Sequence, residues 1–552
     1  MHADRRFRPY VAFFCMEYGL SHRFPVYSGG LGILAGDILK TARDLDLPLV
    51  GVGILWRQGY TRQVLDEHGW PHDEFPHYTP DFCDDTGVRV EVTIRGEPVS
   101  FQVWKTEAFG NNPLYLLDAG PPDGAHGWIT GRLYNGHGPA RIAQEMALGI
   151  GGVRALRALG EPVQLYHFNE GHAVLAATEL IREKRERGLS FRAAWEATRD
   201  EVIFTTHTPV MAGNESHPLG LLEEMGAFNG LSREEMVALG GDPFTMPVAG
   251  LRVASYANGV SKMHGATARK MWEDVEGTAP ILSITNGVHA GTWQDERIRR
   301  AFGEGRDLWE PHMQAKENLL AEVHRRTGHE LNPERLLIGF ARRAVPYKRP
   351  TLIFDRPDVT EPLLEQQTIQ LVFSGKAHPE DDAGKHLVQA IWRMSQRFPR
   401  SVAFLPDYDM EIGALMTRGC DVWLNTPQRP LEASGTSGMK AALNGVLNLS
   451  VLDGWWPETV RHGVNGWQID QGYEGPGQDH RDLLSLFQVL VDEVIPAYYE
   501  EPSRWRQMMR ESVAACAGRF TSDRMLVEYL NLMYQPAAAV LQPLREPEPQ
   551  HA

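Results

Sequence analysis

Nine short apolar or β-branched runs punctuate the chain: VAFF, LPLVGVGIL, VQLYHF, EVIFTTH, LLIGFA, TIQLVFSG, SVAFLP, DVWLN and VLNLSVL. Runs of this length with helical stretches between them are what strands buried on both faces of a parallel sheet require, so the chain reads as α/β. Helices are legible in the intervals. In GKHLVQAIWRMSQRFP, Leu387, Ile391, Met394 and Phe398 recur at helical spacing and Pro399 stops the element. At 552 residues the chain exceeds what one hydrophobic core usually organises. The polar RRTGHELNPER, near residues 325–335, precedes a fresh strand and marks the expected boundary. It gives one Rossmann-like domain over 1–328 and a second over 329–535, whose final helices are compatible with packing back on the first, then a flexible tail over 536–552.

A formal net charge of -16, with no long basic block, argues against general binding of nucleic acid or a membrane surface. Cys15, Cys83, Cys420 and Cys516 lie far apart without CxxC spacing, which reads as reduced thiols in a cytoplasmic enzyme. VAFFCM stops at Glu17, too short for a signal-peptide core, and no run reaches the about 18 apolar residues that a span needs. Neither export nor membrane crossing is expected.

Four segments carry chemistry. In YSGGLGILAGDILKTARDL, Gly29, Gly30 and Gly32 precede a helix-like run and would let backbone N–H groups approach an anion. The spacing matches neither GxGxxG nor GxxxxGK[ST], so a plain glycine turn competes with that reading. In GFARRAVPYKRP, the cations Arg342, Arg343, Lys348 and Arg349 follow a strand at what would be its carboxyl end, where open α/β sheets bind ligands. Pro346 argues against a solvated helical face, and an anion site is favoured. In LEASGTSGMKAALNGVLNLSVLDGWW, Ser434 or Thr436 is placed to N-cap a helix and Gly445 to end it. Gly435, Thr436, Ser437 and Gly438 offer amides and hydroxyls ahead of Lys440. Spacing alone leaves that lysine three roles: phosphate contact, Schiff base or ordinary surface residue. Finally, HFNEGHAV (Asn169, Glu170, His172), FTTHTP (His207) and ITNGVH (Asn286, His289) each follow a strand-like run and could reach one cleft.

The His-rich HGWPHDEFPHY matches no zinc pattern, so no metal is expected and an aromatic, polar loop near sugar is the reading. Trp455 and Trp456 read as core.

In this order the segments resemble the α-glucan phosphorylases, the pyridoxal-phosphate-dependent glycogen, starch and maltodextrin enzymes, over nearly the whole chain. EASGTSGMKAALNG resembles that family's EASGTGNMK loop, which implies that Lys440 carries the cofactor as a Schiff base, with Gly435, Thr436 and Ser437 beside it. RRAVPYKR resembles KRxHEYKR, implying that Arg343 and Lys348 hold substrate phosphate while Arg342 sits next to the cofactor phosphate. SGGLG resembles NGGLG, whose second glycine, here Gly30, presents its amide to the same phosphate. His207, Asn286, Glu432 and Ser434 match positions that hold the reacting glucose, and Gly435 and His172 are assigned with them.

The resemblance implies a GT-B architecture and transfer of a terminal α-1,4-linked glucose to inorganic phosphate, giving α-glucose 1-phosphate. The partners are then a glucan and phosphate, with a homo-oligomer compatible. The chain starts about ten residues before FFCMEYGL, so control by nucleotide or phosphorylation, as in the long enzymes, is not expected. Rival readings are a nucleotide-sugar-dependent glucan synthase and a catalytically silent glucan-binding homologue.

Overall fold

The computed structural model describes residues 8–134 and 136–541. All nine runs form strands, distributed over two sheets. The first sheet has nine strands in the order Ile281–Ser283, Tyr256–Gly259, Val202–Thr205, Leu165–Asn169, Val11–Phe14, Leu49–Ile54, Leu114–Asp118, Glu97–Thr106 and Asp84–Ile94. Pairing is parallel from the first of these through Leu114–Asp118, and the last two are antiparallel. Val11 pairs with Leu49 on one side and Leu165 on the other, so the chain order reverses about this central strand. The second sheet has six parallel strands: Val402–Leu405, Ile369–Ser374, Leu336–Ala341, Val422–Asn425, Leu447–Val451 and Gly466–Ile469. Its reversal falls between Leu336–Ala341 and Val422–Asn425. Both reversals open a crevice at the carboxyl ends of the strands, which is where such sheets take ligands.

The cores change hands earlier than the boundary expected at 328. Ile298, Ala301 and Leu308 already pack with the second sheet, and Leu319, Leu320 and Val323 join Leu337 and Ala341. The helix Trp309–Thr327 therefore belongs with the second domain, because its apolar stripe faces that sheet. Conversely Met525, Tyr529, Met533 and Tyr534 pack into the first core. The tail expected from 536 starts too soon. Helix Gln535–Leu541 buries Ala537 and Ala538 in that core, and residues 542–552 lie outside those described.

No residue of HGWPHDEFPHY lines the ligand crevice. Strands Arg62–Leu65 and Pro71–Glu74 pair as a hairpin that reaches over to the second domain. Asp73 pairs with Lys385 at 2.7 Å, Trp70 meets the His386 ring edge-on at 4.9 Å, and Gln63 exchanges two 3.0 Å hydrogen bonds with the Ala377 backbone. Gly69 lies so close that a Cβ there would meet the Trp392 ring at 2.2 Å. No described helix is long and apolar enough to cross a membrane.

Candidate active site

The crevice between the sheets encloses about 440 Å³ and is lined from both domains. From the first domain come Glu17, the segment Ser28–Leu31, Tyr134, Glu170, His207, Asn286 and Trp293; the second contributes Arg342, Arg343, Lys348, Lys376, Glu432, Ser434–Ser437 and Lys440. Thus the glycine, arginine and lysine segments meet in one place. His172 does not join them. It is buried, its Nε2 accepts from the Met16 N–H at 3.1 Å, and burial drives its pKa down to about 3. From the same turn Glu170 lines the crevice instead, holding the N–H groups of Gly171 and His207 and the Thr208 hydroxyl.

Lys440 sits on the helix Thr436–Leu443. Neither Ser434 nor Thr436 caps it. The N-cap is Gly435 in a left-handed conformation (φ 85°, ψ 53°), without a side-chain cap, and the Ser434 hydroxyl finds no partner among the described residues. The Lys440 side chain is directed onto the Trp293 ring, with Nζ 3.4 Å from the centroid. No carboxylate pairs with it among the described residues. Burial lowers its pKa from 10.5 to about 8, Asp37 opposing the shift and Lys40 adding to it. Gly438 has no room for a side chain: a Cβ would meet Asn448 Oδ1 at 2.6 Å and Trp455 Nε1 at 3.0 Å. Trp455 and Trp456 are buried, in a cluster with Phe520, Met439 and Val288 that joins the domains beneath the crevice.

The phosphate-type cations divide three ways. Arg342 is bonded to Glu432 and, at 3.1 Å, to Ser437 Oγ, while its buried Nε has no partner among the described residues. Lys348 Nζ donates to Glu432 Oε2 at 3.0 Å. Burial alone would raise the Glu432 pKa, yet the charges of Arg342 and Lys348 hold it at about 2. Arg343 is exposed in the crevice and its side chain pairs with no described carboxylate. Arg349 turns away, tied to Asp479 and Asp482 at 2.7 and 2.6 Å and to the Thr426 and Pro427 carbonyls.

Opposite these cations the helix Gly30–Asp44 points its N-terminus into the crevice without a side-chain cap. Glu17 accepts from the Ser28 and Gly29 N–H groups at 2.6 and 3.1 Å and from Tyr134 OH at 2.6 Å. The Gly30 and Leu31 amides find no acceptor among the described residues, which leaves them for an anion. Gly32 is required by the same packing, since a Cβ would strike Glu17 Oε2 at 2.6 Å. His207 donates from Nε2 to Asn169 Oδ1 at 2.7 Å, leaving Nδ1 as the ring's acceptor. Burial lowers its pKa to about 3, so the imidazole is neutral.

Sequence reasoning passed over Glu17, Lys376 and Trp293. Glu17 and Lys376 are single charges directly after buried strands, a signal that could have found them. Trp293 carries no such signal.

Two Rossmann-like domains facing a crevice at their strand ends define the GT-B architecture. A family model described as "Carbohydrate phosphorylase" matches residues 303–461. The chain is 39% identical to the maltodextrin phosphorylase of Thermococcus litoralis, over 96% of this chain and 71% of that one. It is 40% identical to the glycogen phosphorylase of Mycobacterium tuberculosis over the same shares, and 36% identical to that of Aquifex aeolicus over 95% of this chain and 86% of the relative. The chain belongs to the α-glucan phosphorylase family and is a glycosyltransferase.

Proposed function

We propose that this chain is a pyridoxal-phosphate-dependent α-1,4-glucan phosphorylase of the cytoplasm, moving the terminal glucose of a glucan to inorganic phosphate with retention. One observation carries the reading: a buried, unpaired lysine shares a crevice with Arg342, Arg343, Lys348 and an uncapped helix start. The relatives' names, maltodextrin and glycogen phosphorylase, agree with it. Four free cysteines, with Cys15, Cys420 and Cys516 buried and Cys83 half-buried, fit a reducing compartment.

The residues present fit pyridoxal phosphate. Lys440 offers an amine that loses its proton near pH 8, Arg342 an unsatisfied buried Nε, and Gly30 and Leu31 free amides for an anion. Gly435, Thr436 and Ser437 supply the adjoining turn. When bound, the cofactor supplies a fixed phosphate beside the substrate phosphate.

The chain's own part is to bind, orient and exclude water. Arg343 has no carboxylate partner among the described residues to give up before gripping substrate phosphate through its planar fork. Lys348 adds a charge held in place by Glu432. Two phosphate groups repel in water, and fixed cations and amides offset that repulsion without reorganising during the reaction. His207, as a neutral ring, Asn286, whose Oδ1 is buried and unpartnered, Glu432 and Ser434 would orient the glucose by its hydroxyls.

The test is spectroscopic and catalytic. Purified protein should show bound-pyridoxal absorbance, borohydride should leave a pyridoxyl group on the Lys440 peptide, and maltodextrin with phosphate should yield glucose 1-phosphate. Colourless protein that extends glucan from a sugar nucleotide would make the chain a synthase instead.

A further inference from the structure

The helix Gly30–Asp44 carries three charged side chains at i, i+3 and i+7, which fall on one face: Asp37, Lys40 and Asp44. All three reach the segment 289–293. Both Asp37 oxygens accept from the Trp293 indole N–H, at 3.0 and 2.9 Å, and Oδ2 also accepts from the His289 N–H at 3.1 Å. Lys40 donates to Thr292 Oγ1 at 3.1 Å and to the Leu20 carbonyl at 2.9 Å. Thr292 and His289 Nδ1 are 2.8 Å apart, and His289 Nε2 and Asp44 Oδ2 are 2.8 Å apart.

The far side of this segment is tied to the lysine helix. Asn444 Nδ2 donates to the Trp293 carbonyl at 3.0 Å and to the Lys440 carbonyl at 2.8 Å, and its Oδ1 accepts from the Asp295 N–H at 2.7 Å. Gln294 donates to the Leu443 carbonyl at 2.7 Å. Residues 289–295 therefore splint the first domain's glycine helix to the second domain's lysine helix, and Trp293 is the side chain on which the Lys440 amine rests.

We propose that Asp37 is a positioning residue for cofactor attachment: through the indole N–H it sets the Trp293 ring, and the ring in turn sets Lys440 Nζ. The proposal rests on the reading that Lys440 carries the cofactor. In attachment the neutral amine adds to the aldehyde carbon, its nitrogen replaces the aldehyde oxygen and water leaves. Asp37 acts on that step in two ways of opposite sign. As a neighbouring anion it favours the protonated amine and slows attack. As the acceptor that fixes Trp293 it aims the amine and speeds attack. The geometry makes the second effect the larger, because two oxygens grip one N–H in a fully buried site.

The experiment uses the full chain, resolved of cofactor with hydroxylamine, mixed with pyridoxal phosphate and followed by bound-pyridoxal absorbance, with borohydride trapping of the Lys440 peptide. Asp37→Ala should slow attachment on the order of tenfold, the usual loss for one buried charged hydrogen bond. Asp37→Asn, which keeps an acceptor and removes the charge, should stay within a few-fold of wild type. In a Trp293→Phe background Asp37→Ala should add no further loss. Should Asp37→Ala fail to fold, Trp293→Phe alone carries the test, since it keeps a ring, cuts the link and is expected to slow attachment equally. If Asp37→Ala and Asp37→Asn both accelerate attachment, Asp37 is only a neighbouring charge and the proposal falls. It falls also if Trp293→Phe attaches at the wild-type rate. A wild-type protein with no pyridoxyl on Lys440 overturns the underlying reading and this proposal with it.

Discussion

Lys440 and Lys348 line the same crevice and meet the cost of leaving water in opposite ways. Lys348 is paired with Glu432, a carboxylate held ionised at about pKa 2 by two cations. Lys440 has an aromatic face and no paired carboxylate among the described residues, and burial brings its pKa down to about 8. The lesson concerns what surrounds an amine rather than the amine itself. A buried lysine with an anionic partner remains a point charge suited to holding phosphate, and one without a partner becomes a nucleophile near neutral pH. The neighbouring helix starts follow the same division. Glu17 takes the outer amides of the glycine loop and leaves Gly30 and Leu31 free.

The largest expected effect separates the two lysines outright. Lys348→Met should lower phosphorolysis of maltodextrin about a hundredfold, on the order of 3 kcal/mol of transition-state stabilisation, by analogy with a lost oxyanion donor. The pyridoxyl group should still be found on Lys440. Lys440→Met should instead lose the pyridoxyl group altogether, and phosphorolysis with it. Phosphorolysis at the wild-type rate by Lys348→Met, across phosphate concentrations, would mean that RRAVPYKR holds no substrate phosphate.

A second prediction breaks the pair from its other side. Glu432→Gln leaves Arg342 and Lys348 without their common anion, and removing one member of a buried ion pair costs about 3 kcal/mol. Inorganic phosphate should restore part of that loss, so its addition should raise the melting temperature of Glu432→Gln more than that of wild type. Equal shifts would place phosphate away from these two cations. The sign of the pH dependence follows from the depressed pKa of Glu432. Its contribution to stability is present above the ordinary glutamate pKa of 4.5 and is lost as pH falls toward about 2.

Much of the architecture was legible because it depends on local pattern. Buried parallel strands need continuous apolar runs, and all nine runs are strands in the two sheets. The helix Asp382–Arg397 ends just ahead of Pro399, where the pattern stopped it. The boundary was misplaced because a polar stretch marks where a helix ends, not which core the helix joins. Helix Trp309–Thr327 ends at Gly328 but packs forward on Leu337 and Ala341. Most candidate site residues share one crevice, since each follows a strand of one sheet or the other at its carboxyl end. His172 satisfied the same positional rule, yet the turn containing Glu170 (φ 81°) carries its ring back to Met16. Trp293 and its tie to Asp37 were invisible because the two lie more than 250 residues apart and nothing local marks either. Where the EASGTGNMK loop has Gly-Asn this chain has Ser437 and Gly438, and the glycine has a local physical reason. The space beside Gly438 is filled by Asn448 and Trp455, so an asparagine side chain there would have nowhere to go.

The smallest expected effect tests the comparison at Lys440 alone. If the amine titrates at about 8, the neutral fraction and hence the rate of pyridoxal phosphate attachment should rise about fivefold between about pH 7 and about pH 8, then level off above about pH 9. A lysine at the ordinary value of 10.5 would instead keep gaining about tenfold per unit throughout that range. The charges acting on the amine are Asp37, which raises its pKa, and Lys40, which lowers it. Lys40→Met should therefore move the plateau to higher pH, while Lys348→Met, whose partner is Glu432, should leave it where it is. Stopped-flow absorbance across a pH series measures all three proteins. A rate that climbs tenfold per unit without a plateau would show that Lys440 is an ordinary amine, and the contrast with Lys348 would then lie in their partners and not in their proton affinity.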